Sequence, residues 1–195
     1  MPRFSENEKE RIHDKLLIEG ERLFRTYGIK KVTIDDLVEA VGIAKASFYT
    51  FYESKEYLYL DIVQSIQQKI FTELNILLDS NSNSPSKERV LQVFEAMIKR
   101  MQQYPILTHM DTAAIELIAR KVSKERLSEF QEQNFDAAQS LYNHGVRFSC
   151  DIRTVSHAFQ AVHHSWMYLR AKGEDMQASV TDILLHGVIN QIVIE

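Results

Sequence analysis

Apolar residues recur every three or four positions along nearly the whole chain, which is the spacing that places them on one face of an α-helix. Turn-forming residues are scarce, since the 195 residues include only six glycines and three prolines. An all-β fold needs a turn after each of its many short strands, so this scarcity argues against one. We count about nine helical stretches and no convincing strand. The sequence therefore predicts an all-α protein.

The composition is ordinary for a globular protein, with 45% apolar and 26% charged residues. Cys150 is the single cysteine, so no internal disulfide can form and the fold does not depend on an oxidising compartment. Residues 3–11 are rich in charge, where a signal peptide would need an apolar stretch. No run of apolar residues approaches the length that spans a bilayer. We expect a cytoplasmic protein.

The N-terminal part of the chain is electrically neutral. Residues 1–55 carry ten Lys and Arg against ten Asp and Glu, whereas the whole chain has a formal net charge of −4. Domains that bind nucleic acid are commonly basic. Any contact of this part with DNA must therefore depend on a few well-placed cations rather than on a general positive field.

Helix signals divide this N-terminal part into four segments. Ser5 followed by Glu8 has the form of a capping box, which predicts a helix over residues 5–27 that ends at a glycine. Thr33 is a good N-cap for a short helix that ends before Gly42. A second short helix of about eight residues then starts at Lys45, and a long helix follows over residues 54–78.

A polar loop over residues 79–85 separates these segments from a further series of helices. A helix that starts near Pro85 is interrupted at Tyr104-Pro105, because proline cannot continue a helix interior. The remaining helices are predicted over residues 105–120, 123–148, 151–173 and 175–193.

Residues 33–55 contain two short helices joined by a glycine-containing turn. Helices this short do not persist alone, so neighbouring helices must cover their apolar faces. Burial of those faces leaves five small or polar residues exposed on the second helix: Lys45, Ala46, Ser47, Tyr49 and Thr50. A three-helix unit with one such exposed helix fits the major groove of DNA.

Residues 33–56 read TIDDLVEAVGIAKASFYTFYESKE and closely resemble the helix-turn-helix of the TetR family of regulators. The resemblance covers about the first 60 residues. It implies a helix-turn-helix DNA-binding domain over residues 5–53, which in the style of the family extends to about residue 68. It also implies a helical ligand-binding and dimerisation domain over residues 54–195. The function implied is that of a repressor released from a palindromic operator by a small-molecule effector.

The resemblance implies DNA contacts by eight residues: Thr33, Lys45, Ala46, Ser47, Tyr49, Thr50, Phe51 and Lys55. Thr33 and Lys55 would bind phosphates, and Lys45 and Ala46 would face base edges or the adjacent backbone. The hydroxyls of Ser47 and Tyr49 would contact phosphates or bases. Phosphate contacts position a protein on the duplex, and base contacts select the sequence.

Residues Thr50 and Phe51 would lie at the groove edge, where a thymine methyl is a suitable partner. Packing of Phe51 on the long helix is an equal alternative. Ala44 departs from the family pattern, because a serine commonly caps the recognition helix at that position. We expect this cap to be absent, at a cost of about 1 kcal/mol.

Two further surfaces follow from the family architecture. Met and aromatic residues among the middle helices could line an effector pocket: Phe94, Met97, Met101, Met110, Phe135, Tyr142 and Trp166. For each of them taken alone, membership of the apolar core is the simpler interpretation. The last helix could form a homodimer interface through Val180, Ile183, Leu184, Gly187, Val188 and Gln191.

Other functional classes find less support in the residues. We find no nucleophile–base pair, phosphate-binding loop or metal ligand set, so we expect no enzyme activity, no cofactor and no metal site. The histidines at positions 157, 163, 164 and 186 are interpreted as polar surface or interface residues. The alternative function is a TetR-like coactivator or ligand-binding module that does not itself bind DNA.

Overall fold

The computed structural model describes residues 4–108, 112–132, 137–173 and 177–195. Within these ranges the chain forms eleven helices and one sheet of two very short strands. The predicted all-α fold class is confirmed. No helix in the described ranges is long and apolar enough to cross a membrane.

The N-terminal helices are α1 (Glu6–Tyr27), α2 (Ile34–Val41), α3 (Lys45–Phe48) and α4 (Lys55–Ser80). Of these, α1, α2 and α4 begin and end close to where the local signals predict, and α3 begins at Lys45 as predicted but ends early. Ser5 and Glu8 form the predicted capping box at the start of α1. Gly42 ends α2 in the left-handed conformation, at φ 78° and ψ 39°, which a residue with a Cβ rarely adopts.

Seven helices and the two strands make up the rest of the chain. They are α5 (Ser86–Gln103), α6 (Pro105–Thr108), α7 (Thr112–Lys121), α8 (Lys124–Glu132), α9 (Ala137–Asn143), β1 (Arg147–Phe148), α10 (Ile152–Lys172), α11 (Gln177–Ile192) and β2 (Val193–Ile194). The interruption at Pro105 and the N-cap of α10 by Asp151 are confirmed.

One predicted helix is wrong in extent, and another is described only in part. In the stretch expected as one helix over residues 105–120, the structure forms α6 and α7, and residues 109–111 between them lie outside the described residues. The helix expected over residues 123–148 ends too late, because the chain forms α8, then α9, which stops at Asn143, and then β1; residues 133–136 lie outside the described residues. Gly145 has a φ of 94°, which turns the chain after α9 so that β1 can pair antiparallel with β2. This pairing corrects the expectation of no strand. The paired residues lie 47 and 45 positions apart, so no local signal in the sequence predicts the pairing.

The chain divides into two compact units, and helix α4 contributes residues to both. The N-terminal unit comprises Met1–Gln68 and Met101–Asn134, and the C-terminal unit comprises Lys69–Arg100 and Phe135–Glu195. The predicted functional boundary between residues 53 and 54 stays a prediction.

In the N-terminal unit, α1 packs closely against the first part of α4. Phe24 meets the edge of Tyr59 with ring centroids 5.3 Å apart, and both rings are buried. A Cβ placed on Gly20 would lie 2.9 Å from Ile62 Cδ1 and 3.2 Å from a methyl of Leu58. Glycine at this position therefore sets how near α1 can approach α4.

The core of the C-terminal unit is a continuous apolar cluster contributed mainly by α5, α9, α10 and α11. Phe94 and Phe159 form its aromatic centre, with ring centroids 4.9 Å apart in an edge-to-face arrangement. The other large members include Leu78, Val93, Leu141, Val162, Leu185 and Ile189.

Candidate nucleic-acid interface

The start of α2 is held by a reciprocal set of hydrogen bonds. The Thr33 side-chain oxygen accepts from the Asp36 amide at 3.2 Å, and Asp36 Oδ2 accepts from the Thr33 amide at 2.8 Å. The Thr33 hydroxyl also donates to Asp36 Oδ2 at 2.7 Å. These bonds from Thr33 hold the pKa of the Asp36 carboxyl below its usual range. The cap predicted for Thr33 is confirmed, and its hydroxyl proton is already donated within the protein.

The segment that follows, residues 45–52, is named here the reading segment. Its α-helical part is only Lys45–Phe48, which is half the length predicted. After Phe48 the chain tightens, because the amides of Thr50 and Phe51 donate to carbonyls three residues earlier at 3.1 and 2.9 Å. As expected, Ala44 makes no side-chain cap at the start of α3.

Two buried aromatic rings hold the inner face of the reading segment against the protein core. Phe48 is completely buried and Tyr52 is 6% exposed. The two rings lie 6.1 Å apart, and the Tyr52 amide donates to the Phe48 carbonyl at 3.0 Å. Such a short helix has little stability of its own, so these two side chains hold it in place.

The outer face of the reading segment presents Lys45, Ala46, Tyr49 and Thr50 to solvent. Tyr49 is 54% exposed, and its ring meets the edge of Phe48 at 5.7 Å. The Thr50 hydroxyl donates to the carbonyl oxygen of Ser47, which is half-buried.

The half-buried ring of Phe51 lies 6.4 Å from that of Phe4, which precedes α1. The groove-edge role of Phe51 stays a prediction, as do the contacts of the other seven predicted residues.

Both lysines expected at DNA have partners within the protein. Lys45 Nζ donates to Asp35 Oδ2 at 2.9 Å, and this hydrogen bond raises the pKa of the Lys45 ammonium. The pair is well exposed to water, which weakens it, so a phosphate can replace the carboxylate. The pairing of Asp35 with Lys45 was not predicted, because the two residues lie ten positions apart in different helices.

Lys55 is half-buried and ties the start of α4 to the turn between α1 and α2. Its Nζ donates to the carbonyl oxygen of Ile29 at 2.7 Å and to that of Val32. Burial lowers the pKa of the Lys55 ammonium, and the charges of Glu56 and Asp36 oppose that effect. Lys55 therefore stabilises the packing of α4 against this turn, and its phosphate contact stays a prediction.

A cavity of about 80 Å³ lies in the C-terminal unit, among α5, α9 and α10. It is lined by Phe94, Met97, Ala137, Ser156, Phe159, Gln160 and His163. Two of the predicted pocket residues, Phe94 and Met97, are among them. Burial chiefly, and the neighbouring His164, together lower the pKa of His163 to about 4, so the cavity histidine is neutral at pH 7.

His163 is half-buried and lines this cavity, and its interpretation as a polar surface or interface residue stays a prediction. Positions 156, 159, 160 and 163 recur at helical spacing on α10 and include the apolar Phe159. This spacing was the available signal that His163 shares a face with the core.

The other predicted pocket residues lie elsewhere or in contact with the lining. Trp166 is buried, and its ring stacks on His163 at 6.3 Å. Met101 is buried in the N-terminal unit. Tyr142 is 46% exposed, with the Arg147 guanidinium 4.8 Å from its ring centroid. Met110 and Phe135 lie outside the described residues.

The outer face of α11 exposes several of the residues predicted for a dimer interface. Ile183 is 70% exposed and Leu184 is 39% exposed. Gly187 and Gln191 are exposed too, and a Cβ on Gly187 would meet no atom within 4 Å. Val180 and Val188 are half-buried. Large apolar side chains left in water mark surfaces that partners can cover.

Comparison with known proteins identifies a matching family domain and relatives that share part of the chain. Residues 16–62 match the domain described as bacterial regulatory proteins, tetR family. The nucleoid occlusion factor SlmA of Vibrio campbellii is 22% identical over 114 residues, which cover 58% of this chain and 57% of that protein. The chain thus spans little more than half the length of this curated relative.

Longer matches cover nearly the whole chain. An uncharacterized helix-turn-helix-type transcriptional regulator of Bacillus subtilis, YdgC, is 23% identical over 184 residues, covering 90% of this chain and 91% of that protein. A solved TetR transcription regulator from Haloarcula marismortui has a TM-score of 0.68 at 13% identity, and the match covers 95% of this chain and all of that one. At this identity the structural match shows a shared fold.

Proposed function

We propose that this chain, which belongs to the TetR family of bacterial transcription regulators, is a dimeric repressor that a small molecule releases from operator DNA. The observation that carries the DNA-binding part is the reading segment. It exposes small and hydroxyl-bearing side chains on a short helix whose underside is anchored by buried rings. A surface of this kind enters the major groove of a duplex.

The geometry supports a division of labour between the exposed side chains. Lys45 exchanges Asp35 for a phosphate or a base edge when DNA arrives, since its ion pair is open to water. The Tyr49 hydroxyl lies within the exposed face and donates to a phosphate or base. Ala46 adds a small apolar contact, which suits a thymine methyl.

Two substitutions test whether the reading segment is responsible for DNA binding. Genomic fragments retained by the full chain are sequenced, and affinity is measured on the selected duplex over a range of salt. Lys45→Ala should weaken binding about tenfold and reduce the salt slope by about 1. Tyr49→Phe should weaken it about fivefold, because one hydrogen bond is lost.

Lys99→Ala is the matched control, since it removes an exposed lysine of α5 in the C-terminal unit. It should change neither affinity nor slope beyond experimental error. Retention of no fragment at any salt concentration would favour the coactivator function and rule out the repressor.

The cavity of the C-terminal unit supports the effector part of the proposal. Its lining is apolar apart from Ser156, Gln160 and the neutral His163. A lining without a charge favours an uncharged ligand that buries a small apolar body and makes one or two hydrogen bonds. Phenol should therefore lower retention of the selected duplex more than benzoate does. Release follows if the ligand prefers the conformation that binds DNA poorly.

The exposed face of α11 supports a homodimer. Two copies related by a two-fold axis present two reading segments, and these match a palindromic site with half-sites one helical turn apart. We propose that the regulator works in the cytoplasm, where it meets its operator.

A further inference from the structure

The start of α8 is bound to one face of α4 inside the N-terminal unit. Arg126 Nη2 donates to Asp61 Oδ1 at 2.6 Å and to Gln64 Oε1 at 2.8 Å. One turn earlier, the Ser123 amide donates to the hydroxyl oxygen of Tyr57 at 3.0 Å. The three α4 residues are spaced by four and three positions, so they share one face of that helix.

The same Asp61 carboxylate also binds the aromatic residue at the end of the reading segment. Tyr52 is hydrogen-bonded to Asp61, and its hydroxyl lies 2.9 Å from His13 Nε2. A phenol has one proton to donate, and an ionised carboxylate can only accept. Tyr52 therefore donates to Asp61, and His13 donates its Nε2 proton to the Tyr52 oxygen. His13 of α1 thus donates to Tyr52, Tyr52 donates to Asp61, and Asp61 also accepts from Arg126.

Tyr52 is well placed to transmit this restraint to the reading segment. Its ring is buried, stacks on His13 at 5.8 Å and packs against Phe48. Burial first, and then the Asp61 charge, raise the pKa of the Tyr52 hydroxyl, so it stays protonated and able to donate. Its amide closes the last turn of the segment on the Phe48 carbonyl. A shift of Tyr52 therefore moves the backbone that carries Thr50.

We propose that Arg126, 74 residues downstream of Tyr52, is a positioning residue for the DNA-reading segment and acts through Asp61 and Tyr52. This proposal rests on the proposed DNA-binding function. The Arg126 side chain is 17% exposed and the Asp61 side chain 37%, so water replaces the pair only in part. Without the guanidinium, the carboxylate turns toward solvent and the Tyr52 hydroxyl loses its fixed acceptor.

A double-mutant cycle on the full chain tests the proposed route. Arg126→Gln and Tyr52→Phe should each weaken binding of the selected duplex about fivefold to tenfold. The double variant should be no weaker than Tyr52→Phe alone, because Arg126 acts through the hydroxyl that this change removes. Arg120→Gln is the matched control, since Arg120 pairs only with the exposed Glu116 of its own helix among the contacts described. It should leave affinity unchanged.

Hydrogen exchange provides a readout that does not need DNA. In Arg126→Gln the amides of Thr50, Phe51 and Tyr52 should exchange faster than in the wild type. In the control Arg120→Gln the same three amides should exchange at the wild-type rate. Arg126→Lys keeps one donor for Asp61 and should recover part of the protection. If Arg126→Gln does not fold, Arg126→Lys and Tyr52→Phe carry the same comparison.

Additive losses of affinity in the cycle, or unchanged exchange at residues 50–52 in Arg126→Gln, would overturn the positioning role. A wild-type chain that selects no DNA would instead refute the proposed function, and the exchange experiment would still decide whether Arg126 restrains the segment.

Discussion

His163 shows how burial alters the titration of a single side chain. The folded protein holds its pKa at about 4, below the ordinary value of 6.5, chiefly because burial disfavours the charged ring. Between these two pH values the unfolded chain binds a proton that the folded chain does not. Acidification therefore favours unfolding in this window, and the stabilisation is complete only above pH 6.5.

Replacing His163 with Gln should flatten the dependence of stability on pH between 4 and 6.5. The free energy of unfolding by urea, measured across this range and above it, checks the expectation. His157→Gln is the matched control, because His157 is exposed on the same helix. Equal slopes for the wild type and His163→Gln would show that the buried ring is not the group responsible.

Residue roles were predictable where the signal is local. Thr33 and Asp36 are three positions apart, and their capping box follows from residue types alone. Arg126 lies 65 positions from its partner Asp61, and Lys55 lies 26 positions from its partner Ile29. No periodicity brings such residues together, so the two networks became visible only in the fold.

At the scale of elements, α3 lacks a side-chain cap although its N-cap backbone has the required shape. Ala44 has φ −72° and ψ 148°, the extended conformation from which a serine hydroxyl accepts an amide of the first turn. Ala44→Ser should therefore stabilise the protein by about 1 kcal/mol, and a denaturant melt measures the change. Ala46→Ser adds a hydroxyl to the same helix without a capping position, so an equal gain there would exclude capping as the cause.

Element boundaries were predictable where glycine or proline ends a helix, as at Gly42 and Pro105. They were not predictable where tertiary contacts decide. The helical pattern of residues 123–148 continues into β1, but the backbone of β1 is hydrogen-bonded to β2 instead of forming a helix. The reading segment likewise departs from regular helix after Phe48, where its buried ring sets the turn.

For the whole molecule, the exposed face of α11 leads to a prediction about assembly. The wild-type chain should sediment as a dimer, and Ile183→Glu should sediment as a monomer, because a carboxylate cannot be buried unpaired in an apolar interface. Ile76→Glu is the matched control, since Ile76 of α4 is 59% exposed and lies outside the predicted interface. It should remain dimeric, and a monomeric wild type would contradict the prediction.

The all-α architecture was predictable because helical spacing and scarce turn residues are properties of the whole chain. The division into compact units was not, because residues 101–134 cluster with the first 68 residues rather than with their neighbours in sequence. Tyr59 of α4 shows the cause, since its hydroxyl donates to the carbonyl of Ile106 at 3.0 Å.

The short sheet has a mechanical consequence for the last two helices. Strand β1 precedes α10 and strand β2 follows α11, and the Ser149 amide adds a bond to the Ile192 carbonyl at 2.8 Å. The start of α10 and the end of α11 are therefore held together by the strand pairing, and the chain itself connects the helices at their other ends. Its two helices cannot slide lengthwise past each other without unzipping the strands, so shear is blocked in this pair. Any rigid-body movement of α10 and α11 would therefore rotate or translate both helices together.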